Sequence, residues 1–256
     1  MSIVIIVEWG FSRFYSIIKL FLLVKIMVTK WLHILELGGD PWILPIWSAV
    51  NSAVSAGRVS ELTPEVLQRG GYISIRLNML PRIIGRINSQ CKQLYEKIEG
   101  RGPEHEFLEK KRGVAFKIDY NLKYSLIIDI DSLLYELNSC CELMTKLFED
   151  LYKHVGNPID NNSAGLCIKQ ILKGAGQDPR WFTILDNHRN FFMHEGAPNI
   201  AVDLTNAPPY DLLIMKENLF EFKDPSKFFY LSDLDDIVQG FVVAKPIIQH
   251  HLIGLY

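Results

Sequence analysis

The sequence predicts an all-α protein, built as an antiparallel helical bundle with a small β-hairpin near residues 210–230. Three observations support this fold class. Apolar residues recur every three or four positions over residues 122–155, helix start and stop signals punctuate the chain, and two apolar runs flank a polar turn at residues 216–218. A chain of 256 residues with 48% hydrophobic residues is long enough to bury a substantial core.

The first 28 residues are strongly apolar, but charged residues interrupt them at Glu8, Arg13, Lys19 and Lys25. No uncharged run approaches the roughly 20 residues that a membrane-spanning helix needs, so we expect no membrane partner. The segment also lacks the basic start and the cleavage site of a signal peptide. Two explanations stay open: a buried N-terminal element, or a start codon assigned too early, with Met27 as the natural beginning.

The cysteines show no metal-binding pattern. None of the four is part of a C-x-x-C pair, and two are adjacent, so the sequence indicates neither a zinc site nor a disulfide framework. This pattern of cysteines favours a reducing compartment, and we expect a cytoplasmic protein.

The net charge of −2 conceals a segregation by sign. Residues 69–117 carry 11 Lys and Arg against 5 Asp and Glu, whereas residues 118–256 carry 11 against 19. Solvated helix faces that differ in sign by chance are one interpretation. The other is a phosphate-facing surface, made by Arg69, Arg76, Arg82, Arg86, Lys92, Arg101 and Lys110 to Arg112.

Residues 1–117 form a predicted N-terminal helical region. An apolar stretch runs from Trp31 to Ala56, and Pro64 occupies a position that a first helical turn tolerates. Pro81 is predicted to open a helix that ends at Gly100. The polar residues 104–112 are predicted to form an exposed loop or an internal boundary.

The second predicted domain covers residues 118–256 and begins with the longest helix. Its apolar positions run from Leu122 to Val155, and Gly156-Asn157-Pro158 stops it. At 1.5 Å per residue the helix is about 50 Å long, the scale of a central bundle helix. The apolar stripe is interpreted as a bundle core, or alternatively as a dimerisation seam.

Shorter elements follow the long helix. A helix is predicted from Ser163 to Lys173, and a second one starts at Asp178-Pro179 and stops at Gly196. A hairpin turns at Lys216-Glu217-Asn218. Ser232 and Asp235 resemble a capping box that opens a last helix, which contains Pro246.

The helix that starts at Asp178 contains the best candidate for chemistry, the sequence "RNFFMH" from Arg189 to His194. An arginine followed by a histidine after four to six residues arises by chance about once in such a chain, so the spacing alone carries little weight. The context adds weight, because polar Asn190 follows the arginine directly, the helix has defined ends and a long bundle helix precedes it.

This combination resembles the HEPN superfamily, whose mark is an R-x4-6-H motif on a late helix of an all-α bundle. The resemblance covers about residues 118–256, with the hairpin as an insertion. It implies a metal-independent endoribonuclease without cofactors, acting on RNA as a homodimer whose two motif helices line one cleft. The motif arginine, polar residue and histidine of the family correspond to Arg189, Asn190 and His194. It further implies a toxin or phage-defence effector with an antitoxin partner, although Gly196 stands where some family toxins carry a regulatory tyrosine.

Helical geometry adds an independent expectation. Arg189 and His194 lie about 140° apart around the axis, whereas Asn190 and His194 are four residues apart and share a face. Asn190 is therefore the better placed residue to orient the imidazole, and a cleft shared by two copies of the helix is more reasonable than a site on a monomer.

Alternatives to catalysis remain. The same domain could be a non-catalytic HEPN-like module that binds nucleotide, RNA or a protein partner, or an unrelated helical protein in which Arg189 is solvated and His194 satisfies the helix end. His188 has no metal partner at ligand spacing and receives no role.

Overall fold

The computed structural model describes residues 40–100, 106–109, 113–116, 118–194, 199–204, 210–217 and 222–256. The apolar segment 1–28, with both of its explanations, lies outside these residues, as does the predicted helix stop at Gly196. The described part contains six α-helices: α1 Leu44–Ser55, α2 Pro64–Glu99, α3 Tyr120–His154, α4 Asn161–Gly174, α5 Arg180–His194 and α6 Ser232–Ile253. The prediction of a mostly helical protein is confirmed.

Helix α3 follows the sequence prediction closely. Asp119 caps its first turn by accepting a hydrogen bond from the backbone N–H of Asn121 at 2.9 Å. The helix ends at His154, and Gly156 adopts the left-handed conformation (φ 83°) that glycine tolerates best. The apolar stripe from Leu122 to Leu151 is buried, as expected of a core-facing helix.

Helix α2 is longer than the sequence predicts. It begins at Pro64 and continues to Glu99, so the prediction that Pro81 opens a helix is wrong. Proline removes one helical hydrogen bond. However, Leu80 and Ile83 are buried on both sides of it, and their packing holds one continuous helix.

Helices α2 and α3 are antiparallel neighbours, because the ion pairs Arg69–Asp150 and Arg86–Asp129 join them in opposite chain directions. Their buried faces belong to one hydrophobic core with α1, α4, α5 and α6. This core contains residues from both sides of position 118, the predicted start of the second domain.

The hairpin predicted near residues 210–230 is part of a three-stranded antiparallel sheet made of β3 (Asn199–Asp203), β4 (Asp211–Met215) and β5 (Phe228–Tyr230), in that spatial order. Strand β4 is Asp211–Met215, in the first predicted apolar run. Its hairpin partner is β5, Phe228–Tyr230, whereas the second predicted run lies just after Lys216-Glu217-Asn218. The additional strand β3, Asn199–Asp203, pairs with the other edge of β4. Strand β5 is the hairpin partner of β4 because Phe229 both pairs with Ile214 and buries its ring in the core.

Two further local predictions are wrong. Residues 104–112 are predicted as an exposed loop or an internal boundary; the loop is wrong in part, because Glu106–Glu109 form strand β1, which pairs with β2, Gly113–Phe116. The capping box predicted at Ser232 and Asp235 does not form. Leu231 is the N-cap residue of α6, and Ser232 Oγ instead donates to Asp211 Oδ2 at 2.7 Å. This bond ties the start of α6 to strand β4.

Among the described helices, none is both long and apolar enough to cross a lipid bilayer.

Candidate functional site

Helix α5 carries the predicted motif and is anchored along one side. Asp178 Oδ1 accepts from the backbone N–H of Arg180 at 3.0 Å and so caps the first turn, as predicted. Trp181 is buried and contacts the ring edge of Phe241 on α6, at a centroid distance of 6.0 Å. Leu185 and Phe191 continue this buried side toward the end of the helix. The anchoring fixes which residues of α5 remain accessible.

Two of the three predicted site residues lie on the accessible side. Asn190 and His194 are exposed, and their four-residue separation places them on one helix face. Met193, 56% exposed, lies beside them. This face is therefore open to a large substrate or to a second protein chain.

Arg189 is placed differently from the other two. It is half-buried, and its Nε atom is buried without a hydrogen-bond partner in the described part of the chain. A buried donor without a partner costs about 1–3 kcal/mol, and such atoms are rare in folded proteins. Arg189 therefore lies between the buried and the exposed sides of α5, and its buried Nε has no hydrogen-bond partner among the described residues.

His188 has a structural environment that the sequence did not reveal. Its ring stacks on Phe229 of β5, with centroids 4.1 Å apart, and its Nε2 lies 3.6 Å from Asp233 Oδ2 of α6. That distance is too long for a hydrogen bond. Burial lowers the pKa of His188, and the Asp233 carboxylate opposes this shift. His188 thus packs the motif helix against the sheet and α6.

A cleft of about 800 Å³ opens between α2, α3, α6 and the start of β4. Tyr95 and Tyr210 meet edge to face in it, with a centroid distance of 5.8 Å. Burial raises the pKa of Cys91 to about 11. Burial and the neighbouring Asp236 and Asp211 carboxylates raise the pKa of Asp235. Sequence reasoning missed this cleft, because its walls combine α2 with residues 210–238, which lie more than 100 positions further along the chain.

A smaller cleft of about 410 Å³ lies between α3, α4 and Phe182 of α5. Arg189, Asn190 and His194 line neither of the two clefts.

The predicted phosphate-facing surface is contradicted for three of its arginines. Arg69, Arg76 and Arg86 form ion pairs with Asp150, Glu136 and Asp129 of α3. The charge segregation along the sequence therefore reflects, in part, pairing between the basic helix α2 and the acidic helix α3. Arg101 and Lys110 to Arg112 lie outside the described residues.

Within the described residues, no three His, Cys, Asp or Glu side chains are grouped so that they could hold a metal ion. Comparisons with family models, curated proteins and solved structures give no match to this chain. The resemblance to the HEPN superfamily thus rests on the motif and the helix order.

Proposed function

We propose that this chain is a metal-independent endoribonuclease of HEPN type, which cleaves RNA with Arg189, Asn190 and His194. The observation that carries the proposal is the exposed face of the motif helix that Asn190 and His194 share, with the half-buried Arg189 directly before Asn190 in the chain. A long polyanion can reach this face, because both side chains are exposed. An enclosed site would favour a small substrate instead.

The chemistry needs no group beyond side chains and RNA. The 2′-hydroxyl of a ribose attacks the adjacent phosphorus while His194 accepts its proton. The bond from phosphorus to the 5′-oxygen breaks, and that oxygen takes up a proton from a second acid. Arg189 donates to the non-bridging phosphate oxygens, where negative charge grows. The products are a 2′,3′-cyclic phosphate and a 5′-hydroxyl.

Asn190 has a positioning role in this scheme, since its amide lies one helical turn before the imidazole of His194. The second acid comes from the motif helix of another copy, because one imidazole cannot accept and donate a proton at once. The proposal therefore includes a homodimer with one cleft between two α5 helices. An RNA-cleaving toxin or phage-defence effector, restrained by an antitoxin, is the physiological role that we propose with it.

A binding module without catalysis is the second candidate, and the 800 Å³ cleft favours it by its size alone. The chemistry of the cleft disfavours a nucleotide. Four carboxylates, those of Glu96, Glu99, Asp211 and Asp235, line the cleft against one lysine, Lys92, and this excess of negative charge would repel phosphate groups. The cleft therefore does not replace the α5 face as the RNA site.

The test is cleavage of a panel of labelled RNAs by the purified full chain in EDTA. We expect 2′,3′-cyclic phosphate ends, and we expect no cleavage at positions where the ribose is replaced by deoxyribose. His194→Ala should abolish cleavage, whereas Met193→Ala, a neighbouring exposed residue, should retain it. Absence of cleavage across the panel, or equal rates for the wild type and His194→Ala, would refute the proposal.

A further inference from the structure

The cleft between α2, α3, α6 and the start of β4 is large and elongated. Its volume of about 800 Å³ lies within the range of small-molecule binding sites. The residues of α2 that line it run from Ile84 to Glu99, so the cleft follows that helix for about 22 Å. It can therefore hold an extended ligand along its length.

The inner wall of this cleft is apolar. Six aliphatic side chains contribute to it: Ile84, Ile87, Leu133, Leu231, Leu234 and Val238. Three of them, Ile87, Leu133 and Leu234, are buried members of the hydrophobic core, so core packing holds this wall in place. Methylene groups of a ligand that lies against the wall are removed from water, which favours binding.

Negative charge dominates the lining of the cleft. Four carboxylates line it together with one cation, Lys92, which is 79% exposed and lies 3.9 Å from Glu96. Among the described residues, no cation forms an ion pair with the other three carboxylates, those of Glu99, Asp211 and Asp235. Burial and two neighbouring carboxylates raise the pKa of Asp235, as expected of an acid that lies among like charges. The cleft is therefore complementary to a cation.

The arrangement of the carboxylates favours a cation with several separate charges. No three His, Cys, Asp or Glu side chains in the described part of the chain are grouped so that they could hold one metal ion. A ligand that joins ammonium groups by short methylene chains can instead reach separated carboxylates, and its methylenes can contact the apolar wall. The edge-to-face rings of Tyr95 and Tyr210 also line the cleft, and the face of a tyrosine ring attracts an ammonium group.

We propose that this cleft binds a linear polyamine. Its ammonium groups face the carboxylates of Glu99, Asp211 and Asp235, and its methylene chains lie on the apolar wall. The excess of three negative charges over Lys92 matches a trivalent polyamine, so spermidine is the probe of choice. The proposal does not depend on RNA cleavage and is tested on protein freed of nucleic acid, to which polyamines also bind.

The first experiment is isothermal titration calorimetry of the full chain with spermidine at pH 7.5. We expect one spermidine per chain, and Asp235→Asn should weaken binding about fivefold or more because it removes one facing charge. Asp236→Asn is the matched control: it removes the same charge from the next residue of α6, which does not line the cleft, and should change the affinity less than about twofold. Glu99→Gln, an exposed residue at the end of α2, should weaken binding as Asp235→Asn does and guards against a folding defect in that variant. Thermal melting of each variant checks its folding.

The second experiment separates charge from the apolar contact. Hexaamminecobalt(III) has the same charge as spermidine but no methylene groups, and it should bind about tenfold more weakly. In a series from diaminopropane to diaminooctane the affinity should rise about tenfold or more with chain length, and Val238→Asn should reduce this rise.

Three results would overturn the proposal. One is the absence of spermidine binding at millimolar concentration. Another is equal loss of affinity in Asp235→Asn and Asp236→Asn, which would indicate attraction to the general charge of the surface. The third is binding of hexaamminecobalt(III) as tight as that of spermidine, with no effect of diamine length, which would make the cleft an acidic surface without selectivity for polyamines.

Discussion

Arg86 of α2 and Asp129 of α3 form a bidentate ion pair. Arg86 Nη2 lies 2.7 Å from Asp129 Oδ1, and Nε lies 3.0 and 3.1 Å from the two carboxylate oxygens. Gln90 donates a further hydrogen bond to Oδ2 at 2.8 Å. Asp129 is buried, whereas the side chain of Arg86 is 54% exposed. Together with Arg69–Asp150 and Arg76–Glu136, this pair sets the alignment of the two long helices.

Replacement of Arg86 by Leu should lower the free energy of unfolding by about 1–3 kcal/mol, because it leaves the buried carboxylate of Asp129 without its cation. The exposure of the guanidinium keeps the loss below that of a fully buried pair. Lys92→Leu is the control, since Lys92 is 79% exposed and lies 3.9 Å from Glu96. It should change stability by less than about 0.5 kcal/mol in the same urea titration.

The Arg86–Asp129 pair should also make the free energy of unfolding depend on pH. The hydrogen bonds from Arg86 lower the pKa of Asp129, so the folded chain holds this carboxylate ionised more readily than the unfolded chain does. The stabilisation is complete above the unfolded pKa of about 4 and is lost as the pH falls through the folded value. The difference in unfolding free energy between the wild type and Arg86→Leu should therefore shrink between pH 5 and pH 3. An unchanged difference at pH 3 would contradict the ion-pair assignment.

Gly240 allows α5 and α6 to approach closely. A Cβ atom added at Gly240 would overlap the side chain of Trp181, with the indole Cγ only 2.3 Å away, far inside van der Waals contact. Gly240→Ala should therefore destabilise the chain by about 1–3 kcal/mol through overpacking. Gly85→Ala is the matched control, because Gly85 lies inside α2 with no atom within 4 Å of the added Cβ. Alanine there should raise stability by about 0.5–1 kcal/mol, so the two substitutions should shift the thermal midpoint in opposite directions.

The sequence predicted those parts of the fold that depend on local signals. The three- and four-residue apolar period of α3 and its glycine stop are local, and both are found in the structure. The continuous helix through Pro81 depends on packing on both sides of the proline, which no local pattern records. The strand at Phe229 depends on its pairing with Ile214, and the spacing of turn residues did not reveal this partner.

The same distinction between local signals and long-range packing applies to the candidate site. The common face of Asn190 and His194 follows from helical geometry, and both are exposed. The burial of Arg189 Nε, and its lack of a hydrogen-bond partner among the described residues, depend on what surrounds α5 and could not be predicted from the sequence. The contact between His188 and Asp233 joins residues 45 positions apart, and no local pattern in either segment predicts it.

His188 should make the chain less stable in mild acid. Burial lowers its pKa in the folded chain, so the unfolded chain binds the proton more readily as the pH falls below the unfolded value of about 6.5. The free energy of unfolding should therefore decrease from pH 7 to pH 5, and His188→Phe, which keeps an aromatic ring on Phe229, should flatten this slope. Asp233→Asn should steepen it, because the carboxylate of Asp233 raises the pKa of His188. Urea titrations at pH 5, 6 and 7 measure all three slopes, and parallel slopes would contradict the assignment.

Substitution of Arg189 should reduce RNA cleavage without reducing the stability of the chain. Its buried Nε has no hydrogen-bond partner in the described part of the chain, so Arg189→Met removes an unsatisfied donor while keeping most of the side-chain volume. We expect the free energy of unfolding to stay unchanged or to rise by up to about 1 kcal/mol. RNA cleavage should fall by about 100- to 1,000-fold, because the donor to the transition-state phosphate is lost. Leu185→Ala provides the contrast: it removes a buried side chain of α5 and should lower stability by about 2–5 kcal/mol. If Arg189→Met loses stability as Leu185→Ala does, the guanidinium has a structural role; if it keeps both stability and cleavage, Arg189 does not contact the phosphate.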